Sequence, residues 1–421
     1  MAKKINLVAV NMGYGHQRAA YPLRSLSEGE VITFNDYPGI EKWEKNYWLK
    51  SERSYNRISR FKKTPLLGRA IFGIMDSFQV IKPYYPWRDL SARTEQQNYF
   101  FKSVKNGLGK KLIETLNTSG LPFVTTFFVA AYAAEYHNYQ GDIYCVVCDS
   151  DASRAWAPVD PKNSRIKYFL PTEKLRKRFL MYGVKEENLF VTGFPLPMEN
   201  IGPNKEILLA DLKRRLGVLD QAGKIRSHYR IFSDEIEEKK IDKPRPLTLT
   251  FAVGGAGAQS EIGVLILNKL SAGLKEGKYH LNLVAGNRAE VNDYFKKAIT
   301  ESGLDNEAGL KIIYAPDKTE YFKIFNACLH ETDVLWTKPS ELSLYCALGL
   351  PIIISEPVGS QEDFNRAWLV SVGAGIDAEA TEYVAEWLPD LLSSGRLARA
   401  AMDGFLNVES GGMEKIAELI N

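Results

Sequence analysis

The chain has 421 residues, 45% hydrophobic and 25% charged, with a net charge of +3. This is the composition of an ordinary globular protein of two or three domains, able to bury a core without disulfides. The charge is too small to argue for nucleic acid, no apolar run approaches the roughly 20 residues of a spanning helix, and no secretory leader precedes the first strand, so a cytoplasmic protein is expected.

An apolar strand over 5–10 leads into the turn Asn-Met-Gly-Tyr-Gly-His-Gln-Arg, a helix over 17–26 and a second strand over 31–34. A β-turn-α-β opening begins a doubly wound sheet. Gly13 and Gly15 let the backbone approach a ligand, and His16 falls at the helix start, where it can hydrogen-bond and titrate. Taken alone, the Gly-x-Gly-His string is equally a tight turn. The segment 41–88 follows, with eleven Lys or Arg against four Asp or Glu and ten aromatic residues between them. Two readings stand. Rings and cations can lie on an anionic membrane surface, or the segment is a solvated helical lid with its aromatics packed inward.

A helix over 95–117, a strand over 123–126 and a short helix over 130–139, bearing Glu135 and His137, come next. The strand over 142–147 ends at Cys148 and Asp149. Catalytic side chains gather at the carboxyl ends of parallel strands. Asp149 and Asp151 are therefore candidates for ligand contact or a general base, with a loop acid or helix cap as the plain alternative. Cys145-x-x-Cys148 is not read as a metal or redox pair, because positions three apart on a strand face opposite ways and no second pair completes a zinc set. A strand over 168–170, a basic helix over 173–182 and the run Val-Thr-Gly-Phe-Pro within 188–197 close a first domain over 1–200, in which 41–88 is an insertion.

Residues 201–245 are charge-rich and read as one helix over 205–217, then a solvated connector ending at a Pro-marked boundary. A second domain over 246–395 begins with a strand whose end, Gly254-Gly255-Ala256-Gly257, precedes a helix from Glu261. Such a helix start suits a phosphate. The strand over 281–284 leads to Gly286-Asn287-Arg288, where the guanidinium can pair with a diphosphate. The stretch 333–376 then reads strand–loop–helix–strand–loop–helix. Its first loop, Thr337-Lys338-Pro339-Ser340, offers a cation and backbone N–H groups. A helix follows from Glu341 to Leu348, stopped by Gly349 and Pro351. Its second loop carries Gln361, Glu362 and Asn365, which suit sugar hydroxyls.

These motifs resemble family-28 glycosyltransferases, the group of diacylglycerol glucosyl- and galactosyltransferases and the lipid-linked N-acetylglucosaminyltransferase of peptidoglycan synthesis. Gly15-His16 with Ala19-Ala20, Asp149 with Trp156, Val-Thr-Gly-Phe-Pro, Asp333, Thr337-Lys338-Pro339, Gly349-Leu350-Pro351, Gln361-Glu362, Asn365 and Gly373-Ala374-Gly375 stand where that family's pattern requires. Three departures stand out. The Gly-Gly pair after the proline is Ser340-Glu341, in a segment about two residues short. The acid that binds ribose inside the helix is replaced by Leu344 or Cys346, which leaves Glu341 one turn earlier. The histidine between Asp149 and Trp156 is Ser153, so that either the acceptor differs or Arg154 beside it compensates. The resemblance implies an α/β GT-B fold, two Rossmann-like doubly wound domains facing across a cleft, with helices over 396–421 returning towards the first.

It also implies transfer of a sugar from a nucleoside diphosphate, UDP first among them, to a hydroxyl, in one inverting step. His16 is the expected base and Asp149 the second candidate. Gly254, Gly255, Gly286, Asn287, Arg288, Lys338, Ser340, Glu341, Gln361, Glu362 and Asn365 face the nucleotide sugar. Gly13, Gly15, Glu135, Ser153 and Trp156 face the acceptor. No metal or other cofactor is expected, Asp149-Ser150-Asp151 being read as a chance match to a metal motif. A membrane surface is a candidate partner through 41–88, and nucleic acid is not. A nucleotide-sugar 2-epimerase or hydrolase of the same fold, and a non-catalytic sugar-nucleotide-binding relative, remain the alternatives.

Overall fold

The β-loop-α rhythm of the sequence is realised as two parallel sheets. The computed structural model describes residues 3–61, 80–221, 223–225, 245–254, 257, 259–357 and 359–421, with backbone alone over 52–61. Gly255, the 62–79 part of the basic aromatic segment and the 226–244 part of the charged connector lie outside the described residues. The chain divides into two compact units, one made of 1–196, 358–365 and 411–421, the other of 197–357 and 366–410.

In the first unit, β1 (Asn6–Ala9), β2 (Ile32–Thr33), β3 (Phe123–Thr125), β4 (Ile143–Val146), β5 (Lys167–Leu170) and β6 (Leu189–Val191) form one sheet in the order β2-β1-β3-β4-β5-β6. Every pairing is parallel. The strands β1, β3 and β4 are buried along their whole length, which is why they appear as apolar runs rather than alternating patterns. In the second unit, β7 (Leu247–Ala252), β8 (Tyr279–Gly286), β9 (Leu310–Tyr314), β10 (Val334–Thr337), β11 (Ile352–Ile354) and β12 (Gly375–Asp377) pair in the order β12-β11-β10-β7-β8-β9. These are again all parallel. Phe251, Leu283, Trp336 and Ile353 knit this sheet to the helices that cover it. The α/β, doubly wound reading is borne out for both halves.

Strand order locates the sites. In the first sheet the chain steps from β1 to β2 on one side, then returns to β3 on the other. In the second it runs β7-β8-β9 one way and returns to β10. In open α/β sheets a crevice forms at such a reversal, outside the carboxyl ends of the two strands. The relevant loops are those after β1 and β3, and those after β7 and β10.

Two expected elements differ. The helix expected over 95–117 is two helices, Glu95–Lys105 and Lys110–Leu116. Gly107 and Gly109 break it with φ of 104° and 76°, and a side chain at Gly109 would strike Phe34 and Ala133. The helix expected from Glu341 to Leu348 is a 3₁₀ helix, ended by Gly349 in the left-handed region at φ 65°. At about 2.0 Å per residue these eight residues span about 16 Å, a length that an α-helix covers with about eleven.

Candidate functional site

The first half-site is built around His16. Gly13 turns the chain at φ 77° in open space, a conformation strained for any other residue. The helix Gly15–Leu23 starts two residues later, so His16 lies in its first turn. Its Nδ1 donates to the carbonyl oxygen of Thr126, just beyond β3, at 2.5 Å. The two strands of the reversal point therefore meet through this bond. The ring lies edge-on to Phe127 at 5.3 Å and stacked on Trp156 at 5.8 Å, with the Cys148 thiol 3.7 Å from Nδ1. The side chain is only half-buried by surface area, yet packed aromatic walls desolvate it. Burial lowers its pKa to about 4, opposed by the Thr126 hydrogen bond. A carbonyl can only accept, so Nδ1 carries the proton and Nε2 is the basic nitrogen. His16 is thus a neutral imidazole in a fixed tautomer at physiological pH.

The loop after β4 forms the rim. Asp149 is partly exposed and accepts a hydrogen bond from Asn365 Nδ2 at 2.9 Å. Asp151 is turned the other way. Its carboxylate is fully buried and holds Arg178 by two bonds of 2.9 and 2.8 Å, so as a candidate ligand it is corrected to a structural partner. Burying these charges requires each to neutralise the other. Among the described residues, no group of three or more His, Cys, Asp or Glu side chains is arranged to hold a metal ion.

Several sequence assignments change. Glu135, expected towards the acceptor, lies at the C-terminal end of the helix Phe128–Tyr136. It accepts from Ser164 Oγ and Arg165 N–H at 2.7 and 2.8 Å, in the loop entering β5, at the opposite edge of the sheet. A crossover helix runs antiparallel to its strands, so its last turn is carried away from the strand ends. Arg154 cannot stand in for a histidine, because its guanidinium bonds the carbonyls of Ser91, Ala157 and Pro158. Ser153 is buried, preceding the 3₁₀ turn that presents Trp156, and its carbonyl accepts from the Trp156 N–H at 3.1 Å. Gln361 and Asn365, expected on sugar hydroxyls, belong to the first unit and bond its 149–151 loop, Gln361 Nε2 reaching Asp151 O at 2.5 Å. Glu362 is half-buried beside them. Sequence reasoning missed Thr126, Phe127 and Cys148 as the walls around His16. Their one signal was position, just past the ends of β3 and β4.

The second half-site lies where β7 and β10 end. Thr337 Oγ1 ties the two ends together by donating to Ala252 O at 3.1 Å. Beyond it, Lys338 crosses directly over Gly254, and a Cβ on that glycine would collide with the lysine's Cε. The residue pair expected to face a phosphate is thus brought together. Ser340 and Glu341, at the start of the 3₁₀ helix, are half-buried next to it in the chain. On the neighbouring strand, a register shift between Val284 and Gly286 and φ 71° at Gly286 turn the chain. Asn287 and Arg288 are then half-exposed at the start of the helix Ala289–Glu301.

No family model matches the chain. It is 22% identical over 400 residues to the processive diacylglycerol beta-glucosyltransferase of Bacillus pumilus, covering 93% of this chain and 87% of that protein. The Bacillus subtilis enzyme of the same name is 22% identical over 401 residues, with the same shares. The chain is thus similar to both glucosyltransferases over 93% of its length. Similar solved structures include the Staphylococcus aureus MnaA–UDP complex, with a TM-score of 0.49 and 12% identity, covering 99% of this chain and 95% of that one. A glycosyltransferase from Rickettsia africae gives 0.44 and 12%, covering 100% and 98%.

Proposed function

We propose that the protein is a glycosyltransferase that moves a sugar from a nucleoside diphosphate donor to an acceptor hydroxyl by a single inverting displacement. The observation that carries this reading is His16, a neutral imidazole with its proton pinned on Nδ1 and Nε2 left basic at the reversal point of the first sheet. Nε2 takes the proton of the acceptor hydroxyl as its oxygen bonds to the anomeric carbon and the bond from that carbon to the diphosphate breaks. The proton ends on His16 and the new negative charge on the departing diphosphate. Lys338, above Gly254, meets that charge, together with the backbone N–H groups of the adjoining loop and Arg288. Glucose and diacylglycerol, drawn from the names of the relatives, and UDP, which the sequence resemblance implies, make UDP-glucose and diacylglycerol the first donor and acceptor to test.

The acceptor side also carries a surface suited to a lipid interface. Tyr85 and Trp87 are 70% and 64% exposed and stacked at 6.4 Å. Lys177 sits 6.0 Å above the Trp87 ring, and Lys174 5.6 Å above Tyr84. Exposed rings flanked by cations favour the headgroup region of an anionic bilayer. No helix among the described residues is long and apolar enough to cross a membrane.

The test is incubation with UDP-glucose in the presence and absence of diacylglycerol vesicles, with products resolved by mass. A glycolipid that forms only with the acceptor supports the reading. Release of free or epimerised sugar at the same rate without acceptor overturns it in favour of a hydrolase or epimerase.

A further inference from the structure

Asn365 belongs by sequence to the loop that suits sugar hydroxyls, yet the structure gives its side chain different work. It is 1% exposed. Its Oδ1 accepts from both the Ser150 N–H, at 3.0 Å, and the Ser150 hydroxyl, at 2.7 Å. A backbone N–H can only donate, so this fixes which end of the amide faces Ser150 and turns Nδ2 to Asp149 Oδ1, 2.9 Å away. The same loop is pinned from three further directions. Thr172 Oγ1 donates to Ser150 O at 3.1 Å, Gln361 Nε2 holds Asp151 O, and Arg178 holds the Asp151 carboxylate while lying 5.5 Å from the Phe364 ring.

We infer that Asn365 is a positioning residue: it orients the Asp149 carboxylate beside the His16 pocket, and it acts through Asp149 rather than by touching the sugar. The inference rests on the glycosyltransferase reading. Within that reading, it divides the Gln361-Glu362…Asn365 motif by role. The segment holds the loop after β4 by two side-chain amides, Gln361 on the Asp151 carbonyl and Asn365 on Ser150 and the Asp149 carboxylate. Thr172 and Arg178 fix the loop from the other side, and the Asn365 amide sets the orientation of the Asp149 carboxylate on it.

The experiment pairs two readouts. The variants Asn365→Ala and Asn365→Asp are compared with the parent for UDP affinity by calorimetry and for turnover at saturating donor and acceptor. The second variant keeps an acceptor for both Ser150 bonds and sets a second carboxylate against Asp149, a like-charge contact that turns the two apart, and far-UV circular dichroism shows which variants stay folded. A positioning role predicts kcat lower by about 10- to 100-fold, with affinity for UDP and KM for donor within about twofold of the parent. A raised donor KM with kcat restored at saturation makes Asn365 a sugar ligand and overturns the inference. In parallel, melting temperatures of Asn365→Ala, Asp149→Ala and the double variant are measured. Non-additive losses are expected for residues in contact, and additive losses overturn the inference. Should the parent show no transfer at all, the glycosyltransferase reading fails while the melting cycle still decides whether Asn365 holds Asp149.

Discussion

The Nδ1 of His16 and the carbonyl oxygen of Thr126 lie 2.5 Å apart, and this bond joins the two strand ends at the reversal of the first sheet. It also decides which nitrogen of the ring can act as a base. His16→Ala is expected to lower kcat by about 10²- to 10⁴-fold and to leave UDP affinity unchanged, because the nucleotide is assigned to the second unit. Calorimetry and initial rates check the split. An equal loss in both would remove His16 from the role of base.

Burial gives His16 a definite pH signature. Its pKa falls from 6.5 to about 4 on folding, so the unfolded chain takes up a proton that the folded one refuses. The resulting contribution to stability is complete above pH 6.5 and is lost as pH falls through about 4. Replacing His16 by Gln should therefore flatten the acid limb of the stability profile in that window. The acid limb of kcat/KM in the parent should lie near pH 4, not 6.5. NMR titration of the ring protons measures the pKa directly.

Asp151 and Arg178 test the reading of Asp149-Ser150-Asp151 as a chance match to a metal motif. Removing either member leaves a buried charge without its counterion, at a cost of about 3–5 kcal/mol. Arg178→Ala and Asp151→Ala should both show this loss in urea unfolding. The double variant should recover part of it. A metal role for Asp151 would instead appear as stabilisation by added divalent cation that the variant lacks.

Gly254 and Lys338 form the corresponding pair in the second unit. Gly254→Ala forces the lysine side chain aside, and Lys338→Met removes its charge while keeping most of its length. Each should weaken UDP binding by about tenfold, or 1.4 kcal/mol, with little change in melting temperature without ligand. Unchanged affinity in both would move the diphosphate elsewhere.

Glu135 supplies a contrast. Its carboxylate holds the loop entering β5, so Glu135→Gln should cost about 1 kcal/mol of stability and leave kcat and donor KM unaltered. A loss of turnover without a loss of stability would return Glu135 to the acceptor side.

The surface around Trp87 can be examined separately. A Tyr85→Ser/Trp87→Ser variant should co-sediment less with anionic vesicles while turning over a soluble acceptor as the parent does. Added salt should weaken binding of the parent, because the Lys174 and Lys177 contribution is screened over about 10 Å at 0.1 M. Equal vesicle binding by both proteins would remove this surface from the account.

The sequence by itself determined the two doubly wound sheets, because strands buried on both faces must be written as short apolar runs and each crossover leaves a helical stretch between them. It also located His16, Gly254 and Lys338, since those residues stand next to strand ends whose positions the apolar runs define. Only the tertiary structure decided what surrounds them. Thr126, Trp156 and Cys148 come from separate segments of the chain, and their meeting at His16 follows from strand order, which local composition does not encode. For the same reason Asp149 and Asp151, two residues apart and alike in chemistry, received opposite roles. One side chain turns to Asn365 and the other to Arg178, each more than twenty residues away in sequence, and no local pattern distinguishes them.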